Sequence, residues 1–323
     1  MTDWHKKIKN YLGEGTYECT LDDKVFKKAV KELNEDPKQR ALQIEALRQW
    51  VIQQPHLRNT RTDDIFLLRF LRHAKFSQLK AQKTLDNFWT VRTVEGKGAP
   101  EWFKNMDPKD PKNEEILDIG MQVPLPGRDD NGRKVILVRT GGYDPYKHDF
   151  GFTLKTGFMM NDILLLDEEN QVHGFVILLD FSEFGVAHAT NWNREIIGKA
   201  MKCWQDVYPT RNKGVHYYNT PTLFNALMEI FRFFMKDKMK NRTKFHWASL
   251  ESLHKDIPKR MLPDYLGGEA GTLEDLKKSW KAEVMANREE LLLNGKYSVD
   301  ESKRPSDDGT LGLQGSFRKL AVD

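Results

Sequence analysis

Apolar positions recur every three or four residues through most of the first hundred positions. That spacing predicts helices over LDDKVFKKAVKEL, PKQRALQIEALRQWVIQ, TDDIFLLRFLRHAKF and SQLKAQKTLDNFWTVR. Thr62, Asp63 and Asp64 supply capping oxygens and negative charge where the third helix begins. EGKGAPEWFKNMDPKDP then carries the Gly and Pro punctuation of a connector, which places a boundary near residue 100. Beyond it strands and helices alternate. RKVILVRTG reads as a strand after the DDNG turn, FTLKTGFMMNDILLLDEEN as a helix and HGFVILLDF as a strand. NREIIGKAMKCWQDVY reads as a helix, GVHYYN as a strand, the segment from Thr220 as a helix and FHWASL as a fourth strand. This order requires helical crossovers and a mainly parallel sheet covered by helices. KRMLPDYLGGE closes the core, LEDLKKSWKAEVMANREELLL reads as a late helix, and the tail after Tyr297 has no strong periodicity. No internal repeat is seen, and GEGT at Gly13 to Thr16, ahead of any strand, reads as a loop.

The helix in TPTLFNALMEIFRFFMKDKMKNR departs from the one-sided pattern. Thr220 suits the N-cap and Pro221 the first helical position. From Leu223 to Met235 only Asn225, Glu229 and Arg232 are polar, and they fall on one narrow stripe. A surface helix needs an apolar stripe only about 100° wide, so a second apolar side is expected to meet something beyond a single core. The stripe Leu227, Phe231, Phe234 continues at helical spacing into Lys238 and Arg242.

Composition narrows the function. Among 323 residues, 39% are hydrophobic and 30% charged, and the net charge of +4 is too small to imply a nucleic-acid partner, so any basic site is local. No segment approaches the roughly 20 apolar residues of a membrane span. MTDWHKKIKN lacks the apolar run of a signal peptide, and the expected location is cytoplasmic. Cys19 and Cys203 match no metal spacing and are expected as free thiols. No dinucleotide or phosphate-loop glycine pattern, nucleophile elbow, HExxH or CxxC occurs. His216 and His246 lie on predicted strands and can approach each other, but no orienting partner for a general base is identifiable, so hydrogen-bonded structural roles are preferred. Asp180 ends an apolar strand, where a turn or cap role is preferred over acid catalysis. No catalytic residue, metal site or cofactor is assigned, and the chain is not expected to be an enzyme.

The segments DDIFLLRFLRHAKF, GFVILLDFSEFGVAHA, YPTRNKGVHYYNTPTLFNALMEIFRFFMKDKMKNR and LPDYLGG, in this order and spacing, resemble the CRAL-TRIO lipid-binding family. The likeness runs over roughly residues 40 to 290 and is to the α-tocopherol transfer and retinaldehyde-binding branch; the tail VDESKRPSDDGTLGLQGSFRKLAVD resembles the ending of an insect subgroup. The resemblance implies an N-terminal helical subdomain over 1–100, an α/β lipid-binding domain over 101–270 with an apolar cavity, and a C-terminal helix and tail over 271–323. It also implies that the helix from Thr220 is a mobile gate, with Phe224, Leu227 and Phe231 on its cavity side.

Alternation puts Phe175, Ile177 and Leu179 on one strand face, and Leu154, Phe158, Trp204 and Tyr208 are candidate helical walls. By resemblance Leu154, Phe175, Leu179, Trp192, Cys203, Trp204, Tyr208 and Val215 match pocket positions. Arg211, Lys213, Lys238 and Arg242 match basic positions that bind phosphoinositide headgroups. Gly157 and Asn161 stand where the α-tocopherol carrier has two pocket serines, Glu183 stands for a turn glycine, and Ala74 stands for an arginine beside Lys75. The cargo therefore stays open among tocopherol, a retinoid, a carotenoid-like lipid and other sterol-sized apolar molecules. The expected function is an intracellular carrier of a hydrophobic lipid that releases cargo at phosphoinositide-containing membranes, where it is transiently peripheral. A lipid-sensing adaptor is the alternative, with a lipid-modifying enzyme third; protein partners are not indicated.

Overall fold

The computed structural model describes residues 17–95, 98–222 and 224–305. The loop at Gly13 to Thr16, the segment MTDWHKKIKN, Leu223 and the tail from 306 onward lie outside the described residues.

Four helices open the described chain, α1 (Asp23–Leu33), α2 (Arg40–Gln53), α3 (Asp64–His73) and α4 (Gln78–Thr93). Asp63, between two other capping candidates, is the residue that caps α3, accepting from the Phe66 amide at 3.1 Å. Helix α5 (Pro111–Ile119) leads into a five-stranded sheet that also holds an edge strand the hydrophobic pattern missed. The strands are β1 (Gln122–Pro124), β2 (Lys134–Arg139), β3 (Phe175–Asp180), β4 (Asn212–Tyr218) and β5 (Thr243–Trp247), in spatial order β1-β2-β3-β4-β5. Only β1 pairs antiparallel; the three pairings from β2 to β5 are parallel. At three residues β1 is too short to show a period, which explains the omission.

Several expected helices are broken. The helix expected over 152–170 is two, α6 (Phe150–Leu164) and α7 (Glu168–His173), because Asp167 turns to cap the second through the Glu169 amide at 3.0 Å. Next come α8 (Val186–Asn191) and α9 (Arg194–Lys202), the latter continuing into a π turn over Cys203–Val207. The segment from Thr220 is also two helices, α10 (Phe224–Phe234) and α11 (Asp237–Lys240), separated by Lys236 in extended conformation. Its start is later than expected: the Thr220 hydroxyl has no partner among the described residues. The fourth strand stops at Trp247, and Ser249 caps α12 (Leu250–Asp256). Asn287 separates α13 (Leu273–Ala286) from α14 (Arg288–Asn294). At Asp167 and Ser249 a capping side chain competes with continuation of the preceding element, whereas Lys236 and Asn287 make no side-chain cap; periodicity alone registers none of these breaks.

Buried ions fasten the N-terminal helices to the α/β layer. Arg72, fully buried on α3, donates to Glu35 at 2.8 Å, to Glu168 of α7 at 2.6 Å and to Gln171 at 2.9 Å. Arg92 of α4 donates to Asp162 of α6 and to the Tyr208 hydroxyl, each at 2.5 Å. Aromatic rings fill the same seam, with Phe88 edge-on to Tyr208 at 5.5 Å and Tyr208 stacked on Phe158 at 5.4 Å. Two consecutive residues, Lys75 and Phe76, adopt positive φ after α3, and Glu183 does so at +65° where the resemblance places a glycine. Asp180 serves that strand-end turn: its carboxylate accepts from the Ser182 amide at 2.9 Å and from the Tyr265 hydroxyl at 2.9 Å.

Burial alone would raise the Glu168 carboxyl, but Arg72, Tyr17 and Thr20 override it and hold the group below the usual range. A depressed carboxyl contributes stability that is present above the ordinary glutamate pKa of about 4.3 and is lost as pH falls through the folded value. Arg72→Ala would leave Glu168 buried without its cation, and Glu35 with Arg40 alone, and should cost about 3–5 kcal/mol in urea unfolding at neutral pH. The loss should shrink in acid, where Glu168 protonates. A change below about 1 kcal/mol, the scale of a surface pair, would show that the seam does not depend on this ion network.

Candidate functional site

One face of β2, β3 and β4 is roofed by α6, α9, the π turn and α10, and between them lies a cavity of about 130 Å³. Strand alternation puts Phe175, Ile177 and Leu179 of β3 and Val215 and Tyr217 of β4 on its floor. Leu154, Gly157 and Asn161 reach it from α6, Trp192 from the α8–α9 junction, Trp204 from the π turn and Phe231 from α10. All of these but Tyr217 are sequence-predicted wall residues. Phe158, Cys203, Tyr208, Phe224 and Leu227 are expected alongside them but do not line the cavity. Phe158 and Tyr208 stack on each other in the seam with α4, where Arg92 takes the Tyr208 hydroxyl. Cys203 is buried, and burial pushes its thiol up to about 12; Cys19 is free as well. Phe224 packs beyond the cavity on Phe181, with ring centroids 4.3 Å apart, and Leu227 is buried elsewhere along α10.

Sequence reasoning missed the methionines. Met121, Met160, Met201, Met235 and Met239 all line the cavity, and their unbranched side chains adapt to shapes that β-branched walls would resist. Their scatter over α6, α9, α11 and two connecting segments leaves no local pattern. Polar groups are few. Gln122 is occupied, donating to the Thr153 carbonyl at 3.3 Å and accepting from Thr156 at 2.8 Å. Asn161 differs: it is 7% exposed and its side-chain amide has no hydrogen-bond partner among the described residues. A Cβ built on Gly157 would sit 3.5 Å from Gln122, an ordinary contact, so the space beside this glycine is real.

Gln205 holds α10 over the cavity. Its amide donates to the Phe234 carbonyl at 2.9 Å and accepts from the Lys236 amide at 2.9 Å, while Asp206 pairs with the Lys236 ammonium. Helices α9 and α10 approach closely at Gly198, where a Cβ would lie 3.0 Å from the Phe234 ring. The outer side of α10 is less apolar than its sequence suggests. Asn225, Glu229 and Arg232 are exposed, and of its large apolar residues only Phe233 is plainly so, at 69%, beneath the Arg194 guanidinium.

Behind the π turn runs a groove of about 850 Å³ lined by nine lysines and arginines against two carboxylates, Glu32 and Asp206. Arg211, Lys213, Lys238 and Arg242 all reach it, although Lys238 and Arg242 do not share one continuous helix as expected. Lys31, Lys75, Lys80, Lys83 and Lys236 join them from four other segments. Glu32 pairs with Arg211 at 3.0 Å and Lys213 at 3.2 Å. The Lys238 ammonium is lowered by desolvation and then by Arg242, Lys80, Lys75 and Arg211. Trp204, Gln205, Thr210, Asn212 and Met239 line both the cavity and the groove. One wall thus separates an apolar chamber from a concentrated positive field.

On the opposite face of β4, His216 Nδ1 lies 2.8 Å from His246 Nε2, with the rings parallel. Burial and then His246 push His216 down to about 4, and burial lowers His246 also, so both rings are neutral at pH 7.

The CRAL/TRIO domain pattern matches residues 120–268, and a Pinta-like UBA domain pattern matches residues 36–113. Alpha-tocopherol transfer protein-like of Mus musculus is 33% identical over 276 residues, covering 85% of this chain and 78% of that protein. The chain belongs to the CRAL/TRIO family. Clavesin-1 of Xenopus laevis is 34% identical over 248 residues, covering 77% of this CRAL/TRIO chain and 74% of the relative. Among solved structures, Sfh5 aligns at TM-score 0.44 and 12% identity over 73% of this chain and 89% of that one, a likeness too distant to carry function. No helix among the described residues is long and apolar enough to cross a membrane.

If Gln205 is the latch on α10, Gln205→Ala removes both of its bonds to the α10–α11 joint. Two lost hydrogen bonds at about 1 kcal/mol each should raise amide hydrogen exchange at the C-terminal end of α10 and through α11 roughly tenfold or more, with α3 and α4 unchanged. Exchange as slow as in the wild type would mean that packing alone holds the helix down.

Proposed function

We propose that this CRAL/TRIO chain carries an apolar lipid in the cavity and exchanges it at membranes bearing anionic phosphoinositides, without catalysing a reaction and without a cofactor. The observation that carries the reading is the shared wall: Trp204, Gln205, Thr210, Asn212 and Met239 touch both chamber and groove. A headgroup drawn in by Arg211, Lys213, Lys238 and Arg242 would press on the same turn that latches α10. In this reading residues 1–100 are the N-terminal helical subdomain, 101–270 the lipid-binding domain and 271–323 the C-terminal helix and tail. The family relative described as α-tocopherol transfer protein-like favours a carrier, and the cargo is a tocopherol, a retinoid or another apolar molecule of similar size.

The closed cavity of about 130 Å³ is smaller than the roughly 300 Å³ or more that pockets for molecules of this size occupy. Loading therefore requires the walls to yield. The methionines give side-chain room and α10, hinged at extended Lys236, gives backbone room. Each Å² of apolar lipid surface removed from water contributes about 25 cal/mol, and each cation near an anionic leaflet about 1 kcal/mol. Docking through these residues is strong enough to form and weak enough to reverse.

Loaded protein should move lipid between vesicles faster than spontaneous exchange, and faster still when the acceptor contains phosphoinositide. Lys238→Glu with Arg242→Glu should abolish the phosphoinositide acceleration while leaving cargo affinity in detergent nearly unchanged, and added salt should weaken docking of the wild type. Binding without any transfer would replace the carrier by a lipid-sensing adaptor. Transfer indifferent to charge reversal and salt would remove the groove from the mechanism.

Selectivity is assigned to Gly157 and Asn161, which lie one turn apart on α6 and share a face. The unpartnered amide can hold a hydroxyl or a carbonyl at the polar end of the cargo, and the glycine leaves space for bulk beside it. Asn161→Leu should weaken native cargo by about 1–3 kcal/mol. Gly157→Leu should reject it while thermal unfolding stays close to wild type. Unchanged cargo affinity in both variants would put the filter elsewhere.

A further inference from the structure

The face of the sheet turned away from the cavity carries a second constellation. His216 on β4 and His246 on β5 are 4% and 2% exposed, and Asp256 at the end of α12 sits beside them at the surface. One ring nitrogen from each histidine and one Asp256 oxygen all lie within 4.8 Å of one another. Nδ1 of His216 and Nε2 of His246 are 2.8 Å apart, and Asp256 Oδ2 is 3.8 Å from the same Nε2. Bonds of about 2.0–2.2 Å from zinc to nitrogen and oxygen place tetrahedral ligand pairs roughly 3.3 Å apart. The two observed separations bracket that value.

The surroundings fix the ligands. Lys244 holds Asp256 through Oδ1, and no hydrogen bond to Oδ2 is found among the described residues. Ser252 Oγ lies 2.9 Å from His246 Nδ1 and can accept its proton, which leaves the lone pair on Nε2, pointing at His216. A single proton then occupies the short contact between the rings. A cation entering there displaces that proton to His216 Nε2, a change of tautomer rather than of ring charge. Two imidazoles and one carboxylate suit a divalent transition metal of borderline softness rather than calcium or magnesium.

We propose that His216, His246 and Asp256 form a zinc-class metal site, with solvent completing the tetrahedron. This departs from the absence of metal expected from the sequence, and it is independent of the carrier reading. The site would tie β4, β5 and α12 together. Val215 and Tyr217, on either side of His216, floor the cavity, and Phe245, one residue before His246, stacks on Tyr217 with centroids 5.0 Å apart. Metal would therefore stiffen the cavity floor from behind.

The full chain, stripped with chelator and exchanged into metal-free buffer, is titrated with zinc chloride by calorimetry, and with cobalt(II) to read the visible bands of a tetrahedral site. One equivalent of zinc should bind, cobalt should give the tetrahedral spectrum, and zinc should raise the melting temperature. Asp256→Asn, a conservative change at the surface, should lower zinc affinity at least tenfold and lose the cobalt bands. His246→Gln should do the same, with circular dichroism of the metal-free variants matching the wild type. Absence of a stoichiometric zinc site in the wild type would overturn the proposal. So would equal uptake and an equal melting shift in Asp256→Asn, which would place the zinc on other histidines.

Discussion

The π turn at Cys203–Val207 is the constraint on which the arrangement of chamber, roof helix α10 and groove depends. The Tyr208 amide reaches back five residues to the Cys203 carbonyl at 3.0 Å, where an α-helix would reach back four. The wider turn redistributes successive side chains around the axis. Cys203 and Val207 go into the buried seam, Trp204 and Gln205 face the cavity, and Asp206 faces the groove. Immediately afterwards Tyr208 is fixed by Arg92. A regular helix through Val207 would have to give up one of these placements, and with it either the bonds to α10 or the closure of the seam.

The N-terminal helices take part in this geometry. Arg92 belongs to α4, and its bonds to Asp162 and Tyr208 set both the position of α6 and the exit of the π turn. Arg72 does the same for α7, and Glu32 of α1 holds Arg211 and Lys213 at the rim of the groove. Lys31, Lys75, Lys80 and Lys83 bring the helical region's own charge to the same groove. The helical region thus positions cations for the α/β layer as well as covering it.

Features legible in the sequence are those set by local interactions. Alternation in β3 places Phe175, Ile177 and Leu179 correctly on one face, because strand period is a property of consecutive residues. Asp63 is recognisable as one of three caps for the same reason. The breaks at Asp167, Lys236 and Asn287 are not, since each depends on a side chain or a tertiary contact that outcompetes a continuing apolar period. Phe158, Tyr208 and Phe224 are expected on the cavity wall because they are large and apolar on suitable elements, yet aromatic contacts draw them elsewhere: Phe88 of α4 meets Tyr208, Tyr208 meets Phe158, and Phe181, just after β3, meets Phe224. His216 and His246 are visible as residues able to meet. Their third partner, Asp256, lies on α12, a short helix whose first residue, Leu250, reads in the sequence as the end of a strand.

The two faces of β4 show how opposite environments can share one strand. Val215 and Tyr217 floor a chamber whose walls are methionine-rich and into which Asn161 brings an unpartnered amide; His216 between them is hydrogen-bonded to the His246 imidazole and, through it, to a hydroxyl. In the proposed carrier the part that yields is the roof. Gln205 contributes two hydrogen bonds there, each worth about 1 kcal/mol, against a floor fixed by parallel pairing on both sides. The roof is also where like charges crowd: Arg242, Lys80, Lys75 and Arg211 all disfavour the charged form of Lys238. A polyanion entering the groove would relieve that repulsion at the residues adjoining the latch. The difference in binding between latched and unlatched states need only match a latch of a few kcal/mol to shift the balance between them. In the proposed carrier, opening would then be driven by the membrane rather than by the cargo, and the chamber would stay closed between membranes.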